Sequence, residues 1–194
     1  MVSDARSTSR LETAAAMRVL AHPTRLRLLS ILREDGPHTA AQLGDVVDEA
    51  PGTISYHLSK LASIDLIEPA EPRSADQRER WWKAAAALTT WEPAEHLADP
   101  ARRAASSALE KSIAQLYAAR YSDYVDAMPT LPAEWVAAGT TGDRMLRLTA
   151  DELAAMRDEL ESLVRRWEET SARHAQEDDS AAPVTVVYQA YRRP

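Results

Sequence analysis

The chain of 194 residues contains no cysteine. That excludes disulfides, thiolate metal sites and cysteine nucleophiles, and it fits a reducing compartment. Glycine is scarce, five residues in all, and no Gly-rich loop of the kind that cradles phosphate is present. Gly139 and Gly142 read as an ordinary turn. The five histidines, at positions 22, 38, 57, 96 and 174, show neither HxxxH nor HExxH spacing, so no metal site is expected. No serine sits in a G-x-S-x-G context, and acidic pairs such as Asp158-Glu159 belong to a solvated helix face. Catalysis is therefore not expected, and no cofactor is implied.

Long apolar runs are also missing. The first twenty residues lack the core of a signal peptide, and no stretch is long enough to span a bilayer. A soluble, cytoplasmic protein without a membrane partner is the expectation. Basic charge is in deficit: 23 Lys and Arg stand against 30 Asp and Glu, net −7. Neither half escapes this. Residues 1–96 hold 11 basic and 14 acidic side chains, net −3, and residues 97–194 hold 12 and 16, net −4. Any nucleic-acid contact must use a local patch against an unfavourable mean field.

What is present is a series of short amphipathic segments. Ser9 and Glu12 have capping-box spacing, which predicts a helix from about Leu11 to Ala21. "HPTRLRLLSILREDG" follows, with Pro23 suited to a first helical turn and Gly36-Pro37 to its end. Leu26, Leu28, Leu29, Ile31 and Leu32 give it a broad buried face. Thr39 and Gln42 form a second capping-box pair, ahead of inward-pointing Leu43, Val46 and Val47. A break at Ala50-Pro51-Gly52 leads into "GTISYHLSKL". There Ile54, Leu58 and Leu61 recur at helical spacing. The intervening Thr53, Ser55, Tyr56, His57, Ser59 and Lys60 are hydrogen-bonding residues of which only Lys60 is formally charged. Two short helices joined tightly, the second polar on one face, read as helix-turn-helix. "LIE" and "RERWWKA", with the polar turn "RSADQ" between them, read as a β-hairpin directly behind it. Pro69 and Pro72 suit an edge strand. One of Trp81 and Trp82 is expected in the core, the other covered by the wing or a dimer contact.

"LAHPTRLRLLSIL", "TAAQLGDVV", "GTISYHLSKLASIDLIE" and "RERWWKA", in this order, resemble the ArsR-type winged helix-turn-helix transcription regulators. The resemblance covers about residues 10–90. It implies that the helix carrying "SYHL" enters the major groove of double-stranded DNA and that the wing meets flanking phosphate or the minor groove. Metal-sensing members carry a Cys-x-Cys-type motif on the helix before the turn, and that region here has no cysteine. A sensor site of paired Asp and His ligands on the C-terminal helix is equally unsupported, so a non-metal-sensing type is implied.

The chemistry of the residues agrees with this. Thr, Ser, Tyr, His and Lys all reach base edges or phosphates. Thr53, Ser55, Tyr56 and His57 are the groove candidates, Lys60 a phosphate candidate, Ser59 a further DNA-binding candidate, and Arg73, Arg78 and Arg80 the wing candidates. Tyr56 and His57 could instead pack partly against a neighbouring helix or the wing. Arg25 and Arg27 could contact phosphate or pair with an acid such as Asp48 or Glu49.

The second half is organised differently. "EPAEHLADP" reads as a linker. A long helix is expected from Ala101 to about Ala127, with Leu109, Ile113, Leu116, Tyr117, Tyr121, Tyr124 and Met128 as one stripe. Such a stripe suits a homodimer interface, and Tyr117, Tyr121 and Tyr124 could alternatively line a small-molecule effector pocket. "MPTLPAEWVAAGTTGD" reads as a Pro- and Gly-rich connection. Arg144–Leu148 reads as a strand. Thr149 and Glu152 form a capping box, with Leu148 and Leu153 at the staple positions, ahead of a helix using Leu153, Met156, Leu160, Leu163, Val164 and Trp167. Alternation in "VTVVYQ" predicts a strand pairing with 144–148.

The fold expected is mainly α with small β elements. A winged helix-turn-helix domain occupies residues 10–90. A C-terminal dimerisation or effector domain occupies 101–194, with a long helix and a helix packed on a small antiparallel sheet. The function expected is a sequence-specific DNA-binding transcriptional regulator, a homodimeric repressor reading a palindromic operator through helix 52–63 and wing 66–84. The alternative is a winged-helix protein-interaction module with little DNA affinity.

Overall fold

A computed structural model describes residues 8–73, 79–174 and 181–193. The chain divides into two compact units, Met1–Pro129 and Thr130–Pro194.

In the first unit, strand β1 (Thr8–Arg10) leads to helix α1 (Ala14–Leu20). Its cap is Thr13, whose side chain accepts from the Ala16 N–H, so the Ser9/Glu12 capping pair expected from spacing is not used. Ser9 instead pairs in β1 with Thr89 of the parallel strand β5 (Leu88–Thr90). Helix α2 (Pro23–Glu34) starts at Pro23 and ends two residues before Gly36, which has φ of 80°, a conformation open to glycine without steric cost.

Strand β2 (His38–Thr39) runs into α3 (Ala40–Val47), whose Thr39–Gln42 capping box is fully formed. Leu43 and Val47 are buried, whereas Val46 is 51% exposed, contrary to its expected inward position. α3 is a short helix, and Val46 lies just outside the arc that faces the core.

Asp48 closes α3 in the left-handed region, φ 58°, which Asp tolerates better than most residues. The Glu49 N–H then donates to the Gly44 carbonyl at 3.1 Å. A Cβ on Gly44 would meet the Glu49 carbonyl oxygen at 2.6 Å, so the sharp return into α4 (Pro51–Ala62) requires glycine there. Ile54, Leu58 and Leu61 of α4 are fully buried.

β2, β3 (Ile67–Ala70) and β4 (Trp81–Ala84) form an antiparallel sheet in the order β2-β4-β3. Pro69 thus lies on an edge strand, where its missing N–H costs no ladder bond. Glu68 sits opposite Lys83 and pairs with it at 3.0 Å. Trp81 and Trp82 are both buried, each 7% exposed, rather than only one of them lying in the core. Together with α2–α4 this sheet is a winged helix-turn-helix.

Residues 92–100 are not simply a linker. They contain a one-turn 3-10 helix (Pro93–His96) with a buried His96. Asp99 then caps the long helix α5 (Pro100–Ala127). The small residues Ala105 and Ser106 let α5 approach α1 closely, and Leu109 joins the core formed by α1, α2 and α4. Arg120 pairs with Glu34 of α2 at 2.8 Å. The division of the chain accordingly falls after α5 and not before it, because the first turns of α5 complete the core of the winged domain.

The second unit contains α6 (Ala133–Ala138) and α7 (Ala150–Ser171). α6 lies inside the stretch expected to be only a connection. The Thr149–Glu152 capping box of α7 is formed as expected. The two expected strands are not: residues 144–148 and 181–193 form no strand, with Met145 72% and Val184 69% exposed. Alternation fixes which side chains share a face but supplies no hydrogen-bonding partner. Among the described residues the second unit has no sheet for α7 to pack on, and none of the residues of α7 is buried. Among the described residues, no helix is long and apolar enough to cross a membrane.

Candidate nucleic-acid interface

α4 presents its expected polar face outward. Thr53, Ser55, Tyr56, Ser59 and Lys60 are all exposed, and Tyr56 is so at 57% despite its size. The Lys60 ammonium lies 5.5 Å from the centroid of the Tyr56 ring, a contact that restrains both side chains without removing the cation from solvent. The Ser55 hydroxyl donates to the Pro51 carbonyl at 2.8 Å. Ala50, at the helix start, provides no side-chain cap, and an added Cβ on Gly52 would meet nothing within 4 Å. The first turn of α4 is thus exposed and carries no side-chain cap for the N–H groups that a helix start leaves without intrahelical partners.

The wing adjoins this face. Arg80 is exposed and stacks over the Trp82 ring, 4.2 Å from guanidinium carbon to centroid. A groove of about 500 Å³ runs between α3, α4 and β4, lined by Thr39, Ala41, Ser55, Ser59, Arg80 and Trp82 among others. Arg73 is exposed beyond the end of β3, on the other side of the hairpin from Arg80, with its guanidinium near Gly36. Arg78 and the wing tip, residues 74–78, lie outside the described residues.

His57 does not join this surface. It is 6% exposed and turned inward against His22, with ring centroids 4.6 Å apart. It follows Leu58's side of the helix and belongs to the packing beneath the face. Arg25 and Arg27 do not form the acid pairs considered for them. Arg27 donates to the Val46 carbonyl at 3.1 Å, and the Arg25 Nε is buried without a hydrogen-bond partner. Glu49 instead accepts from the Thr24 hydroxyl at 3.1 Å.

Sequence reasoning did not single out His22, although a polar residue before Pro23 carries an N-cap signal. Nor did it find Arg33, whose guanidinium reaches the Ala86 carbonyl at 3.0 Å and the Thr89 hydroxyl at 2.6 Å. That contact fixes the chain leaving the wing to α2, across a sequence distance that no local pattern encodes.

On α5, Tyr117, Tyr121 and Val125 are 36%, 48% and 43% exposed, with Tyr124 half-buried. The rings of Tyr121 and Tyr124 are 5.9 Å apart. They form a continuous surface on the first unit. Among the described residues, no group of three or more His, Asp or Glu could hold a metal ion.

Residues 20–70 match the family described as a helix-turn-helix domain. No curated protein matches the chain. Among solved structures, a possible transcriptional regulator for arsenical resistance shares 25% identity, with 66% of this chain and 98% of that one covered and a TM-score of 0.32. A MarR family regulator from Neisseria meningitidis shares 19%, covering 80% and 78%, with a TM-score of 0.29. Lactococcus lactis ZitR in complex with DNA shares 16%, covering 86% and 82%, with a TM-score of 0.25.

Proposed function

We propose that this protein is a sequence-specific DNA-binding transcriptional regulator of the ArsR-like, non-metal-sensing kind, acting as a homodimeric repressor. The observation that carries the reading is the exposed, hydroxyl-rich face of α4 beside Arg80, within a match to a helix-turn-helix domain. Thr53, Ser55, Tyr56 and Ser59 reach base edges in the major groove, and Lys60 meets phosphate. Arg73, Arg78 and Arg80 meet phosphate or the minor groove from the wing. The small residues Gly52 and Thr53 let the open first turn of α4 approach the backbone, where its N–H groups donate to a phosphate oxygen.

Two winged units on a two-fold axis read a palindromic operator with half-sites one helical turn, ~10 bp, apart. The stripe of Tyr117, Tyr121 and Tyr124 on α5 serves as the dimer contact or lines an effector pocket. Repression follows from occlusion of the promoter. An effector that changes the spacing or tilt of the two α4 helices empties the operator with a coupling of about 1–3 kcal/mol. Such a regulator works in the bacterial cytoplasm.

The net charge of −3 on residues 1–96 favours a second reading, a winged-helix protein-interaction module with little DNA affinity. Salt separates the two, because each phosphate contact releases counterions. The test is fluorescence anisotropy of the full chain on DNA from upstream of its own gene, against scrambled DNA, at two salt concentrations. Tight binding that prefers the native fragment and weakens steeply with salt supports the regulator. Weak, equal binding there, with no enriched sequence after selection from random duplexes, supports the interaction module.

A further inference from the structure

Beneath the outward face of α4 lies a polar cluster that DNA contact does not use. His57 sits on the inner face of α4, and its Nδ1 is buried without a hydrogen-bond partner. Its ring meets that of His22 at 4.6 Å and 43°, and the edge of Tyr56 at 5.4 Å. His22 is itself committed. It is the N-cap of α2, and its Nδ1 accepts the Thr24 N–H at 3.2 Å. A nitrogen that accepts keeps its lone pair, so neutral His22 carries its proton on Nε2. A second proton on Nδ1 removes the cap and places positive charge at a helix N-terminus, where the backbone dipole opposes it.

The surroundings offer little compensation for that charge. From α2, Arg25 faces the pair with its Nε buried and unpartnered. From the turn before α4, Glu49 is the acid of the cluster, and its Oε1 already accepts from Thr24. On α4 itself the titratable neighbours are Tyr56 and, over its ring, Lys60.

We propose that His22 and His57 form a proton-sensitive seat for the recognition helix: packed when both rings are neutral, and loosened when acid charges them, so that α4 shifts from α2 and DNA is released. The output rests on the DNA-binding reading; the seat itself does not. Burial is the main force keeping both imidazoles below their ordinary value of 6.5, followed by Arg25 for His22 and by His22 for His57. The folded state therefore prefers the neutral rings. The seat is complete above 6.5 and is lost as the pH falls below it.

The test compares the full chain with a His22→Asn/His57→Phe variant, which keeps a capping acceptor and an aromatic ring but cannot titrate there. DNA affinity is measured by anisotropy at constant salt, and histidine ring and α4 amide resonances are followed by NMR across the same pH range. Between about pH 7.5 and about pH 5.5, the parent chain is expected to lose about tenfold in affinity relative to the variant. Its His22 and His57 rings titrate below 6.5 in step with α4 amide shifts. Equal pH dependence in both proteins, or rings that titrate while α4 amides stay still, would overturn the proposal. If no DNA binds at any pH, the regulator reading fails and the NMR titration decides the seat. The same titration on the parent chain decides it if the variant does not fold.

Discussion

The Arg80 guanidinium, from the position immediately before β4, stacks over the ring of Trp82 two residues on, at 4.2 Å. Alternation alone puts residues i and i+2 on one face of a strand. Here it places a cation on top of a buried indole, at the rim of the groove facing Ser55 and Ser59. The stack holds the guanidinium in place before DNA arrives, which lowers the ordering cost of a phosphate contact.

Arg80→Ala and Lys60→Ala are each expected to weaken binding to all DNA sequences alike and to reduce the salt slope by about one. Thr53→Ala and Tyr56→Ala should change sequence preference instead. Anisotropy titrations over a salt series, on native and scrambled duplexes, distinguish the two patterns. Salt slopes unchanged in both cation variants would remove Lys60 of α4 and Arg80 of the wing from the interface.

Gly44 and Gly52 predict opposite outcomes for the same substitution. Gly44→Ala forces a methyl against a backbone carbonyl at 2.6 Å and should destabilise the first unit by about 1–3 kcal/mol. Gly52→Ala has open space and should be neutral or stabilising by up to about 1 kcal/mol, yet weaken DNA binding by crowding the first turn of α4. Urea unfolding and anisotropy measured side by side check this. Full DNA affinity in Gly52→Ala would mean that the first turn stays clear of the backbone.

Leu58 has no exposed surface and lies on the same helix as the proposed DNA contacts. Leu58→Ala should cost about 2–5 kcal/mol of stability. Thr39→Ala breaks a buried capping box and should cost about 1–2 kcal/mol. Denaturant midpoints read both effects, and a Thr39→Ser variant, which keeps the capping hydroxyl, should recover most of the second.

Asp99 caps α5 by accepting from the Arg102 and Ala101 N–H groups. Those backbone hydrogen bonds, that of Arg102 foremost, hold its carboxyl below the ordinary 3.8. A lowered folded value means that the stabilisation is present above 3.8 and is lost as the pH falls through the folded value. Asp99→Ala should flatten the acid limb of a stability–pH curve recorded by circular dichroism. An identical acid limb in both proteins would show that the cap carries no proton linkage.

Tyr121 tests the dimer. The chain mass is 21.4 kDa, and sedimentation velocity of the parent protein is expected to report twice that. Tyr121→Glu places a charge in the exposed stripe of α5 and should shift the species toward the single-chain mass. A dimer undisturbed by the substitution would move the contact elsewhere and leave the tyrosines as candidates for an effector pocket.

The winged domain was legible because its signals are local. Pro23, the Thr39–Gln42 box and the Ile54–Leu58–Leu61 row each act within one or two turns, and each forms as read, whereas Pro51, read as part of a break, is the first residue of α4. The exposed set Thr53, Ser55, Tyr56, Ser59 and Lys60 follows from that row by helical geometry. His57 was ambiguous for the same reason. It lies next to the buried row, and only the position of His22 on a different helix turns its ring inward.

The sequence by itself determined the order of the winged domain's helices and hairpin, the Thr39 and Thr149 capping boxes and the polar face of α4, because helix periodicity and capping chemistry are short-range. Tertiary structure decided the rest. It joined the start of α5 to the first unit, since Ala105 and Leu109 complete a core begun some ninety residues earlier. It buried both Trp81 and Trp82 and left 144–148 and 181–193 without strand pairing, since a β-strand exists only with a partner to satisfy its backbone. And it brought His22 to His57, a contact between helices that share no local pattern.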